Sequence, residues 1–256
     1  MSRVRACIVI PYFNHPAAIG ATLAGLAPLG LPCWIADDGS DAAGAAALQA
    51  AAQTHAGWVQ VLRDERNRGK GAAVLRACRA AAAAGCTHAL QVDADGQHTL
   101  ADAPRLLRAA ARYPDALVLG LPQFDASVPR ARLHGRRITH VWVWINTLSL
   151  AIRDTMCGFR VYPLAALLEL AASERMGERM EFDTEVVVRL AWRGVDVVNV
   201  PTAVRYPLDG VSHFDLWRDN VRISAMHTRL FFGMLWRLPR LLWRGRVRAL
   251  AAGDSR

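Results

Sequence analysis

The sequence is almost without lysine: of its 31 basic residues only Lys70 is lysine, and the other 30 are arginine. It also has no apolar run near the ~20 residues that a membrane-spanning helix needs. Its longest candidates, "VWVWINTLSLAI" and "LFFGMLW", fall well short of that. The five cysteines, Cys7, Cys33, Cys78, Cys86 and Cys157, include no CxxC pair, so the usual spacing of a zinc site or dithiol centre is missing. An odd, scattered set on apolar segments reads as buried free thiol in a reducing compartment. Residues 1–205 contain no linker-like stretch and no internal repeat, which favours one main domain. The opening segment, "MSRVRACIVIPYFNHP", holds an apolar run too short for a signal-peptide core. A cytoplasmic protein, peripherally placed at the inner membrane face, is expected.

What is present is an ordinary folding composition. The 256 residues are 53% hydrophobic and 21% charged, too apolar for a disordered chain. Apolar runs recur at 6–10, 32–38, 58–64, 88–95 and 115–121, with Ala-rich helical stretches at 42–56 and 72–84. Strands alternating with helices predict an α/β fold with a mostly parallel sheet. Beyond residue 121 the order changes to a basic loop (124–137), an apolar helix (138–152), "DTMCGFRVY" and a further helix. Next come "EFDTEVVVRLAWRG", a helix with Asp183 or Thr184 at its start and Gly194 past its end, and the strand "VDVVNVP".

Polar chemistry gathers behind the strands: "PYFNHP", "DDGS", "DERNRGKG" and "DADGQH" follow the first four. In open parallel sheets, ligands bind beyond the carboxyl ends of the strands. Asp93 and Asp95 can both approach one hard divalent cation there, with Gln97 adding a carbonyl oxygen; an Asx-turn is the bland alternative. Asp37 and Asp38 suit ribose or base contacts, or a plain β-turn. Lys70, between Gly69 and Gly71 at a helix start, suits a phosphate that needs a compact ammonium, unless it marks only the helix start.

The net charge of +9 is concentrated late in the chain. Between His213 and Arg248 there are eight Arg and two Asp, a net +6, interleaved with Trp217, Phe231, Phe232, Trp236 and Trp243. Residues 211–256 therefore read as a basic amphipathic extension following a 1–210 domain. Its helices, running to Pro239, suit a headgroup layer; packing on the domain or a dimer face are the alternatives. The helix at 138–152, with Trp142 and Trp144, offers a second membrane-facing surface. Arg130, Arg132, Arg136 and Arg137 before it suit an acceptor phosphate or lipid headgroups. Nucleic acid would explain the tail but not the acidic strand ends, so no nucleic-acid partner is expected.

Taken together, "VIPYFNH", "DDGS", "NRGKGAA", "DADGQH", "DTMCGFRVY", "EFDTEVVVRL" and "RYPLDGVSHF" resemble, in order and spacing, a family 2 glycosyltransferase of GT-A fold. The dolichyl-phosphate mannose or glucose synthase-like branch is the most similar. The resemblance spans about residues 5–215. It implies that Pro11, Phe13 and Asp38 line a nucleotide pocket, that Asp93 lies near ribose and diphosphate, and that Asp95 with Gln97 holds Mg²⁺ or Mn²⁺. Lys70, Arg205 and Ser212 would contact the diphosphate. Two departures stand out: His15 replaces a Glu that contacts the base in relatives, and His213 replaces a Lys.

The implied reaction is inverting hexose transfer from a nucleotide sugar, UDP- before GDP-, to a lipid-type acceptor such as a polyprenyl phosphate. A hydroxyl acceptor on a lipid or polyene-type metabolite is the alternative and would need a base. Asp183 is the best placed, unless it is only a helix N-cap; Glu181 and Glu185 are weaker choices. A sugar nucleotidyltransferase would need a glycine-rich loop after the first strand, and "PYFNHP" has none. A non-catalytic membrane-binding module is the remaining reading. The sugar and the oligomeric state are not set by the sequence.

Overall fold

The computed structural model describes residues 4–124, 128, 130–204 and 215–253. In chain order the elements begin with β1 (Ala6–Tyr12), α1 (Pro16–Leu26), β2 (Cys33–Asp38), α2 (Ala42–Thr54) and β3 (Val59–Asp64). Next come α3 (Lys70–Ala83), β4 (His88–Gln91), α4 (Ala103–Arg112), β5 (Leu117–Phe124) and α5 (Arg130–Thr147). The chain then forms β6 (Arg160–Pro163), α6 (Leu164–Ser173), α7 (Phe182–Arg193), β7 (Val197–Val204) and α8 (Leu216–Gly253). The seven strands form one sheet in the order β3-β2-β1-β4-β6-β5-β7. All pairings are parallel except those of β6, which runs antiparallel to β4 and β5.

Alternation along the strands divides the core into two layers. On β1, Cys7 and Val9 join Trp34 and Ala36 of β2 beneath α3, α6 and α7. Ile8, Ile10, Cys33 and Ile35 point the other way, onto α1, α2 and α4. A strand buried on both faces needs this unbroken apolar run, and parallel strands supply it. The chain leaves β1 toward β2 and β3, then returns to place β4 on the other side of β1. The sheet's switch point therefore opens between the carboxyl ends of β1 and β4, where "PYFNHP" and "DADGQH" lie.

Three sequence expectations change. β4 stops at Gln91, so Asp93 and Asp95 belong to the turn after the strand. The basic segment before residue 138 is not a loop, because α5 begins at Arg130. Arg and Leu are good helix formers, and Arg136, Thr139, His140, Val143 and Thr147 repeat at helical spacing along its covered side. Finally, α8 is a single 38-residue helix that runs through Pro239. The four most enclosed cysteines, Cys7, Cys33, Cys78 and Cys157, are buried, and all five are free thiols. Among the described residues no helix is long and apolar enough to cross a membrane. The expected boundary at 210 lies outside the described residues.

Candidate active site

The carboxyl ends of β2 and β3 are held together by their own polar groups. Asp37 takes the Ser40 amide on one oxygen at 3.0 Å and Arg63 Nη1 on the other at 2.7 Å. Asp38 accepts the amide N–H groups of Arg68 and Gly69 at 2.8 and 2.7 Å. Burial pushes the Asp38 carboxyl up, and these two backbone donors pull against it. The phosphate cradle expected around Gly69 is thus partly used inside the protein: the Gly69 amide is given to Asp38, and the Ala72 amide to Glu178 O at 3.1 Å. Pro11 pairs with Ala36 in the sheet, and Phe13 and His15 follow at the carboxyl end of β1.

The centre of the site is an ionic bridge. Lys70 begins α3 and its Nζ donates to Asp93 Oδ2 at 2.8 Å and to Asp183 Oδ2 at 2.7 Å. Lys70 therefore faces two carboxylates. Burial works against its charge, but Asp183 and Asp93 raise its pKa well above the usual lysine range. Asp93 shows the reverse balance: burial would raise it, yet Lys70 and His98 hold it far below the usual carboxylate range. The bridge depends on Gly71, where a Cβ would stand 2.5 Å from the Phe182 side chain. Any larger residue there would push α3 away from α7.

Asp183 is not the helix cap that the sequence allowed. The N-cap of α7 is Glu181, without a side-chain cap bond, and Asp183 lies in the first turn. Its carboxylate turns toward Lys70 because two cations meet there. Arg160, fully buried on β6, places Nη2 3.5 Å from Asp183 Oδ1 and donates from Nη1 to Asp183 O at 2.9 Å. Asp183 Oδ1 is enclosed and has no hydrogen-bond partner among the described residues.

Asp93, Asp95, Gln97 and His98 share a cleft with Arg136 and Met156. Asp95 is half-buried and takes the Gln97 amide on Oδ1 at 3.0 Å. Among the described residues no group of three His, Cys, Asp or Glu side chains is arranged to hold a metal. The donor set nevertheless fits a hard divalent ion: a carboxylate and a carboxamide oxygen in one cleft suit an ion that takes its other ligands from phosphate and water. Gly158 leaves room for the neighbouring Asp93 carboxylate, since a Cβ there would collide with it.

Across the cleft, Arg136 donates to Asp154 from Nε at 2.8 Å and from Nη2 at 3.3 Å. His140 Nε2 lies 3.2 Å from the same carboxylate. Burial would raise the Asp154 carboxyl, but His140 and Arg136 hold it below its ordinary range. Arg137, beside Arg136, is exposed. The side chains of Arg130 and Arg132, and the whole of Arg205, Ser212 and His213, lie outside the described residues.

Sequence reasoning gave no role to His98, Asp154 or Arg160. His98 stacks on Phe159 with ring centroids 5.2 Å apart and holds Nε2 3.7 Å from Asp93 Oδ2. Burial opposes its charge, yet Asp93 and Cys157 push it up to about 10. The available signal was a histidine directly after the acidic turn, and an Asp and an Arg six residues apart in "DTMCGFR".

Residues 7–168 match the family model described as Glycosyl transferase family 2. Over 216 residues the chain is 26% identical to an uncharacterised protein of Methanocaldococcus jannaschii, covering 80% of this chain and 90% of that one. Among solved structures, it resembles glucosyl-3-phosphoglycerate synthase from Mycobacterium tuberculosis in complex with Mn²⁺ and uridine-diphosphate-glucose. There the TM-score is 0.61 and the identity 18%, over 92% of this chain and 79% of the other. A second likeness is the mannosyltransferase PcManGT from Pyrobaculum calidifontis in complex with GDP-Man and Mn²⁺. Its TM-score is 0.60 at 17% identity, over 99% of this chain and 76% of that one. At such identities the likeness carries the fold.

Proposed function

The chain belongs to glycosyltransferase family 2, and on that premise we propose that it is a metal-dependent, inverting hexosyltransferase. The donor is a nucleoside-diphosphate sugar, and the acceptor is a lipid-type molecule bearing a phosphate, as in the polyprenyl-phosphate branch. One observation carries this reading: Asp93, Asp95 and Gln97 line a cleft at the sheet's switch point with Arg136 on its other wall. Both structural likenesses named above hold Mn²⁺ with a nucleotide sugar, which supports a metal and a donor of that class here.

Asp95 and Gln97 would hold the divalent ion, which supplies positive charge for a departing diphosphate. The chain's own groups do the remainder. Lys70 is engaged by Asp93 and Asp183, so its role is to fix those carboxylates in place. Arg205 and Ser212 are proposed to contact the diphosphate. Arg136, braced by Asp154, orients an anionic acceptor by charge and by its forked geometry. Breaking the sugar-to-phosphate bond leaves an oxocarbenium-like sugar, and attack from the opposite face inverts the anomeric centre.

The state of Asp183 bears on the acceptor. Oδ2 is held by Lys70, and Oδ1 is enclosed beside Arg160, so neither oxygen is open to an incoming hydroxyl. A phosphate monoester arrives ionised and needs no base. The competing reading, a hydroxyl acceptor with Asp183 as base, draws on the unused hydrogen-bonding capacity of Oδ1. The test supplies UDP- and GDP-hexoses with Mn²⁺ to the protein, beside either a polyprenyl phosphate or a hydroxyl-bearing lipid. Transfer to the phosphate is expected, and transfer to the hydroxyl lipid alone would overturn the phosphate reading.

A further inference from the structure

Helix α8 has two apolar sides. Ile223, Met226, Leu230 and Met234 face the body and join its core. On a helix of 3.6 residues per turn, Trp217, Val221, Phe232, Trp236 and Trp243 fall within one arc of roughly 100° on the other side. Among the described residues that outer stripe has no cover: Trp217 is 79% exposed and Trp236 87%. Helix α5 repeats the pattern, with Ile138, Val141, Trp142 and Ile145 exposed at helical spacing. Single exposed apolar residues are commonplace, whereas contiguous sets mark contact surfaces.

The two stripes are joined. Trp142 of α5 stacks on His227 of α8 at 6.0 Å and meets Phe231 edge-on at 6.2 Å, and Phe231 meets Phe232 at 5.9 Å. Met156, which lines the cleft, is itself 39% exposed, whereas Arg136 lies on the covered side of α5, opposite Ile138. The apolar surface thus runs along α5 and onto α8.

Charge selects the occupant. The 38 residues of α8 contain eight arginines and one acidic residue, Asp219. Asp219 is buried and paired with Arg222. Helix α5 contains four arginines and no acidic residue. Asp154, Asp215 and Glu185, from outside the two helices, meet Arg136, Arg218 and Arg229. Neither helix offers an exposed carboxylate of its own, so a second copy docked on this face would bring arginine-rich helices together. A layer of anionic headgroups over hydrocarbon matches both the arginines and the aromatic stripe.

We propose that α5 and α8 form one continuous docking face for an anionic bilayer, which holds the protein at the surface where a lipid acceptor resides. This rests on the lipid-type acceptor proposed above. The test sediments the full chain with vesicles of phosphatidylcholine alone or with phosphatidylglycerol added. It is repeated on the triple variant Phe232→Ser, Trp236→Ser, Trp243→Ser. Binding to the phosphatidylglycerol vesicles is expected, weakened by salt and reduced by about tenfold or more in the variant. Absence of vesicle binding by the intact chain would overturn the proposal. So would unchanged binding by the variant, or a lipid-free dimer that the variant converts to monomer. Donor titration with Mn²⁺ on the same samples separates the two claims. Donor binding without vesicle binding removes the docking face alone, and vesicle binding without donor binding supports the face while removing the transferase site.

Discussion

The strand-end site and the α5–α8 face are opposites in how their side chains are satisfied. Behind the strands, charged groups meet within the fold: Lys70 with Asp93 and Asp183, Arg136 with Asp154, Asp37 with Arg63. On α5 and α8, large apolar side chains stand in water. A network already satisfied costs no reorganisation when a charged substrate arrives. An uncovered apolar stripe gains free energy only when something covers it. The first region holds its charges in fixed positions, and the second is the face proposed to dock.

Lys70→Met breaks this contrast most strongly. It leaves Asp93 and Asp183, whose side chains are only 18% and 9% exposed, without their shared cation. Losing one partner of a buried ionic group costs about 3–5 kcal/mol, measurable as a lowered denaturant midpoint. A loss below about 1 kcal/mol would show that the bridge is a surface feature and the site less closed than described.

A smaller effect comes from His227, placed in the seam between the two helices by its stacking on Trp142. Burial lowers its pKa to about 4, against an unfolded value near 6.5. The unfolded chain then binds the extra proton first as acid is added. The stability contributed by neutral His227 is complete above about pH 6.5 and is lost as pH falls toward 4, by at most about 3 kcal/mol in all. Denaturation across that window is expected to lose part of its slope in His227→Leu. An unchanged slope would place the titration elsewhere.

The smallest folding effect is expected from Trp236→Ser. An exposed ring with no cover contributes little to the folded state, so stability should change by no more than about 0.5 kcal/mol. A drop of several kcal/mol would mean that the stripe supports the fold and that the contrast with the strand ends is wrong.

Much of this arrangement is legible in the sequence because local rules act alone there. Apolar runs bounded by Gly, Asp and Asn mark the four parallel strands β1 to β4, and the acidic turn after β4 announces the cleft. What the sequence hides depends on partners distant along the chain. Nothing local says that β6 inserts antiparallel between β4 and β5, and that insertion is what brings Arg160 beside Asp183. Nothing local says that Arg68 and Gly69, thirty residues on, each donate to one oxygen of Asp38, which leaves each oxygen a further lone pair. Lys70 stands out by its rarity, but only the close packing at Gly71 reveals that it faces two carboxylates. The basic run before residue 138 reads as a loop until its covered side is seen to continue the stripe of α5.

The most direct measurement is a calorimetric titration of UDP- and GDP-hexoses into the intact chain and into Asp95→Ala, each with and without Mn²⁺. The account predicts binding of one nucleotide sugar that requires Mn²⁺ in the intact chain and is lost in Asp95→Ala, while the variant keeps its fold. Equal affinity with and without the metal, or equal binding by the variant, would contradict it.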